Sequence, residues 1–200
     1  MIKLRTFKNS FFLLVGLTCG TFLLSSCGDD EPEAENVEEI ITDATLTFTP
    51  EGGGAQVTAT AVDPDGEGVQ GLQVSGPIQL AANTTYTLTI DLVNGLENES
   101  ISEEVEEEAD EHMLFFGFSN NLFLDPLGNG NVDNRSDDVN YNDADSNNLP
   151  LGLETSWTTG DTGSGTFRVI LKHQPDIKTA TSTSEDGESD MDITWTLNIQ

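Results

Sequence analysis

The chain has 200 residues, with 36 Asp or Glu against 7 Lys or Arg and a formal net charge of −29. Lys3, Arg5 and Lys8 all fall in the first 26 residues, which hold no acid, so the remaining 174 residues carry a net of −32. Such a charge repels phosphate backbones and anionic headgroups, which excludes nucleic-acid binding and polybasic membrane docking. The length suits one domain of ordinary size.

Residues 1–26 read as a secretory signal. Lys3, Arg5 and Lys8 form its positive start, and Phe11 to Leu24 is an apolar stretch broken by Gly16 and Gly20, too short and interrupted for a membrane span. Leu24-Ser25-Ser26-Cys27 resembles the bacterial lipobox, in which a small residue precedes the Cys that is lipidated and becomes residue one. The alternative is an ordinary signal with an incidental Cys. Cys19 leaves with the signal and Cys27 takes the acyl chains, so no thiol remains for a disulfide. Several chains on one Cys anchor stably where a single chain binds marginally.

Gly28-Asp29-Asp30-Glu31 resembles the acidic run after the lipidated Cys of Bacteroidota lipoproteins sent to the outer face of the outer membrane. A solvated linker accounts for the same acids. Residues 27–42 are expected to be a flexible acidic tether, since positions 28–39 hold seven acids and little to bury. The expected location is the outer membrane, lipid-anchored, with the cell surface favoured over the periplasmic face.

From residue 43 the pattern has period two. Ala44, Leu46 and Phe48 alternate with Thr45, Thr47 and Thr49, Pro50 to Gly54 makes a turn, and Val57, Ala59 and Ala61 continue, which predicts a hairpin with one wet face. A turn at 63–68 and a short apolar stretch at 69–80 follow. Tyr86, Leu88, Ile90 and Leu92 form the clearest strand of the first half. Ser100 to Glu111 is predicted helical, with Ser100 and Glu103 at capping-box spacing and Ile101, Val105 and Ala109 on one face. Its other face is almost all acid, and like charges at i,i+4 oppose a helix, so it depends on docking that stripe or on a cation.

His112 to Phe118 is apolar on both faces and belongs in the middle of the core. Residues 125–148 are rich in Gly, Asn and Asp. Later strands centre on Trp157, on Phe167 to His173 after a hairpin turn at Gly163-Ser164-Gly165, and on Ile193 to Ile199, with a polar, mobile loop expected from Gln174 to Asp190. About eight short strands and one short acidic helix predict an all-β, antiparallel β-sandwich over residues 43–200.

Several stretches carry a resemblance: Thr45 to Pro50 with Gly52-Gly53-Gly54, Leu80 to Tyr86, the acidic run Glu103 to His112, and Leu171 to Asp176. Together they resemble a family of Bacteroidota envelope lipoproteins commonly labelled "type 1 periplasmic binding fold superfamily protein". The resemblance implies a lipid-anchored envelope protein and no defined activity. That label denotes a two-lobed α/β architecture, whereas the strand pattern sets an all-β expectation.

Two groups could hold a metal. Asp143, Asp145, Asn147 and Glu154 have the oxygen-ligand spacing of a calcium loop at positions one, three, five and twelve, although Asn148 stands where Gly makes the turn and no helices flank it; a solvated turn is the alternative. A weaker oxygen cluster at Asp63, Asp65 and Glu67 has the same alternative. Glu104, Glu108 and His112 lie at i, i+4 and i+8, and His173 ends another strand, a set that suits a transition metal such as zinc. Each His also shares the parity of core residues and could be a hydrogen-bonded rim residue. Trp157 and Trp195 suit a sugar platform or core packing, and strand parity favours the core.

Hydrolytic signatures are missing: there is no Gly-x-Ser-x-Gly, no His-Glu-x-x-His and no phosphate loop. The expected function is a lipid-anchored, non-enzymatic envelope module that binds or displays an envelope protein or glycan. The alternative is a divalent-cation-binding module, with calcium or zinc as the ion.

Overall fold

Alternation of Thr with apolar residues builds the first sheet. The computed structural model describes residues 39–66, 70–119 and 121–200; the signal, Cys27, the tether to residue 38 and Glu67 lie outside the described residues. Strands β1 (Asp43–Pro50) and β2 (Val57–Val62) form the expected hairpin, with Leu46 opposite Ala59. The chain continues through β3 (Gln73–Val74), β4 (Ile78–Leu80), β5 (Thr85–Asn94) and β6 (Glu99–Ser100) into the helix α1 (Ile101–Glu107). Then come β7 (His112–Phe118), β8 (Phe123–Asp125), β9 (Asn140–Tyr141), β10 (Glu154–Thr159), β11 (Gly163–His173) and β12 (Glu188–Ile199).

One sheet has the order β3-β2-β1-β5-β10-β8, with β6 beside β5 and β9 beside β10; the other runs β4-β12-β11-β7. Every strand pair is antiparallel except the short β4–β12 pair. The two sheets form the antiparallel sandwich that the alternation predicts, with five of the twelve described strands only two or three residues long. Between the sheets, Phe48 meets Phe167 with ring centroids 5.9 Å apart, and Trp157 meets Phe116 at 5.5 Å and Phe167 at 5.0 Å. Trp157 and Trp195 are fully buried, so both are core residues and neither offers a stacking face to a sugar.

Five details differ from expectation. β7 is buried on both faces, yet it is the last strand of its sheet. Its outer face is covered by a loop: Met113, Phe115 and Ile170 pack under Val132 and Tyr141. Its open edge is closed by the same segment, where Phe118 N–H donates to Asn129 O and Phe116 N–H to Asn131 Oδ1. Gly163 to Gly165 lie inside β11, opposite Ile199 to Leu197, so the chain turns earlier, at 160–162, and crosses between sheets.

The helix stops at Glu107 rather than Glu111. Ser100 caps it by accepting from Glu103 N–H (3.3 Å), and Ile101 and Val105 dock as predicted, but its last turn holds no basic residue. Beyond it, the Ala109 carbonyl is taken by Lys178 Nζ (2.6 Å) and the Glu111 carbonyl by Gln174 N–H (2.6 Å), so turn residues 108–111 serve tertiary bonds. The donors come from the segment after β11, expected to be a mobile polar loop; a few of its side chains pack inward while most of its residues are exposed. Gln174 is fully buried and donates to the Thr183 and Asp186 carbonyls, and Ser182 and Ser184 are also buried. Packing begins before β1 as well: Ile41 is buried in the core and Thr42 N–H donates to Val93 O, so the ordered body reaches two residues ahead of position 43. Among the described residues no helix is long and apolar enough to cross a membrane.

Candidate metal centre

Strand register places two histidines side by side. β7 and β11 run antiparallel, and His112, first in β7, is the direct partner of His173, last in β11. Their rings stack with centroids 4.4 Å apart and planes 4° from parallel. Both are buried, His112 completely. Burial pushes the His112 imidazolium down to about 4, against the pull of the Glu108 carbonyl and with His173 and Lys178 adding to the shift, so its ring is neutral at pH 7.

The turn after α1 supplies oxygens. His112 Nδ1 is 3.2 Å from the Glu108 carbonyl, and His173 Nε2 is 3.3 Å from Glu111 Oε2. Among the described residues, Glu108, His112 and His173 form the one group of three metal-ligating side chains whose ligand atoms lie within 4.8 Å of one another. These are three of the four residues in the transition-metal set read from the sequence.

Glu104, the fourth, goes elsewhere. It lines an open cleft of about 400 Å³ with Glu39, Glu99 and Glu108. Burial is the main cause raising the carboxyls of Glu39 and Glu104, and the hydrogen bond to Glu104 is the main cause for Glu99. Two carboxyls can bond to each other only by sharing a proton, so this cluster retains protons as the pH rises. Glu108 links the cleft to the histidines.

The calcium-loop residues are engaged otherwise. Asp143 accepts from Gly152 and Glu154 N–H at 2.7 and 2.9 Å. Asp145 Oδ1 accepts from Asn147 and Leu149 N–H, and its Oδ2 lies 3.0 Å from Lys178 Nζ with both side chains fully buried. Glu154 accepts from Asn142. The Asp143 and Asp145 carboxylates thus cap backbone amides of their own turn, Glu154 takes a side-chain amide, and an internal lysine sits beside Asp145. Asp63 likewise caps Asp65 and Gly66 N–H in a plain turn.

Asp190 was not among the candidates. Along β12, Met191 and Ile193 are buried and Asp192 reaches outward to Arg168 (2.6 Å), so parity assigns Asp190 outward too. The register slips there: Leu171 pairs with Met191 but Lys172 with Ser189, leaving Asp190 as an extra residue. Such a bulge re-aims a side chain. That of Asp190 is fully shielded, with Oδ2 3.9 Å from His112 Nε2. No local sequence signal marks the slip, because Ser-Asp-Met-Asp-Ile alternates without interruption.

No protein-family model matches the chain, and neither does a curated protein or a solved structure.

Proposed function

We propose that the chain is a lipid-anchored, non-catalytic module of the outer membrane, facing the cell surface, whose β-sandwich binds a divalent metal ion. The anchor rests on the lipobox at Leu24 to Cys27 and the acidic run after it. The resemblance to Bacteroidota envelope lipoproteins points the same way. One observation carries the metal: the ligand atoms of Glu108, His112 and His173 lie within 4.8 Å of one another at one end of a sheet.

Without a thiol in the domain, a bound ion would cross-link the turn after α1 to two strands, the task a disulfide performs in other exported proteins. The module's partner is an envelope protein or glycan, and the nearby acids serve solubility and cation attraction.

Two measurements test this reading. Thermal unfolding of the full chain in detergent, first with chelator and then with zinc, calcium and magnesium in turn, should show a higher midpoint with zinc; at a hundred times Kd the gain is about 2.7 kcal/mol. No shift with any ion at millimolar concentration removes the metal from the proposal. Fatty-acid labelling in cells should be lost in Cys27→Ser, and labelling that persists there rejects the anchor.

A further inference from the structure

Hydrogen-bond chemistry at the histidine pair selects particular atoms. A carbonyl can only accept, so His112 Nδ1 carries the hydrogen and donates to Glu108 O. A carboxylate also only accepts, so His173 Nε2 carries the hydrogen and donates to Glu111 Oε2. In a neutral imidazole the nitrogen opposite the donor bears the lone pair that a metal takes. Those atoms, His112 Nε2 and His173 Nδ1, are buried and have no hydrogen-bond partner. Tying the opposite N–H to an oxygen is how proteins orient a metal-ligating imidazole.

Charge points the same way. Glu108, Glu111 and Asp190 lie around the two rings, the nearby Lys178 being paired with Asp145, and the bulge in β12 turns Asp190 into a shielded position 3.9 Å from His112 Nε2. We infer that His112 Nε2, His173 Nδ1 and the Asp190 carboxylate, with Glu108 at the exposed rim, are the ligands of a zinc-class transition ion, and that Glu111 is a positioning residue acting through His173. This rests on the divalent-metal reading above and names its ligand atoms and ion class. Two imidazoles and two carboxylates suit zinc in tetrahedral geometry, whereas calcium takes six to eight oxygens. Ligands around tetrahedral zinc stand about 3.4 Å apart and each imidazole points its lone pair in its own plane. The parallel rings therefore tilt toward each other as the ion binds.

Long-range proton–nitrogen NMR spectra of the ¹⁵N-labelled full chain in detergent read the nitrogens directly. With chelator, His112 should show the Nδ1–H tautomer and His173 the Nε2–H tautomer. Zinc chloride should then move His112 Nε2 and His173 Nδ1 to metal-bound shifts. Asp190→Asn and Glu111→Ala should each weaken zinc binding about 10- to 100-fold. Glu111→Gln keeps an acceptor oxygen and should stay within about three-fold of the parent. Movement of the opposite nitrogens, or parental zinc affinity in Asp190→Asn, overturns the inference. If zinc raises the unfolding midpoint but leaves both histidines unmoved, the inference fails while the metal reading stands; if zinc neither binds nor stabilises, both fail.

Discussion

Lys178 Nζ lies 3.0 Å from Asp145 Oδ2, and neither side chain is accessible to solvent. Burial raises the Asp145 carboxyl, but the Leu149 and Asn147 amides and Lys178 together hold it below its ordinary range, so it is ionised at pH 7. Breaking a buried pair leaves a charge unpaired. Lys178→Met should therefore cost about 3–5 kcal/mol, read by urea denaturation, and adding Asp145→Asn should recover part of the loss. A single variant within 1 kcal/mol of the parent, roughly the value of an exposed pair, would show that the lysine is not holding the turn.

Asp143 caps two amides and is not arranged to hold calcium. Asp143→Ala should destabilise by roughly 1.5–3 kcal/mol, the range for hydrogen bonds to a charged group, by the same amount with chelator or with millimolar calcium. Calorimetry under both conditions checks this, and a calcium-dependent difference between parent and variant would restore the calcium loop.

A depressed histidine makes stability depend on pH in a definite direction. His112 has a folded value of about 4 against an ordinary 6.5, so below pH 6.5 the unfolded chain takes up a proton that the folded chain refuses. His173, Asp190, Lys178, Glu108 and Glu111 surround the ring and stay in place in the comparison. With chelator present, the parent should lose up to about 1.4 kcal/mol per pH unit between pH 6.5 and 4 relative to His112→Gln. Parallel stability curves for the two proteins would show that the ring is already charged in the fold.

The acidic cleft has the opposite sign. Raised carboxyls at Glu39, Glu99 and Glu104 stabilise the fold while they hold protons, and that contribution is lost as pH rises. Glu104 also stands at i,i+4 from Glu108, so Glu104→Gln should raise stability at pH 7 by roughly 0.5 kcal/mol, with the gain fading toward pH 4. Its zinc response should match that of the parent. A lost zinc response would return Glu104 to the ligand set.

How much of this was readable in the chain depends on whether neighbours along one strand decide the outcome. Leu46, Leu88 and Ile193 alternate with polar residues and landed on the inner faces, because a half-buried antiparallel strand imposes period two directly. β7 is buried on both faces like a central strand, but its second cover is the loop bearing Val132 and Tyr141, and no local pattern distinguishes a covering loop from a second neighbour. The histidines were legible by residue type and by their position at strand ends. Their partners were divided by distant events: Glu104 faces Glu39 and Glu99, and Asp190 turned inward at a register slip. Lys178 lies in a polar stretch that looks solvated until Ala109 and Asp145 are folded against it.

The slip at Asp190 uncouples the placement of this carboxylate from the strand pairing of the core. Met191 to Ile199 keep their partners on β11 irrespective of the extra residue, while Ser189 and Glu188 resume the pairing on its far side. One inserted codon is thus enough to place a carboxylate beside the histidines, and one deleted codon removes it, with the hydrophobic interior unchanged in either case. In related chains a one-residue gap at this point should mark the boundary between lineages that hold the carboxylate and lineages that do not.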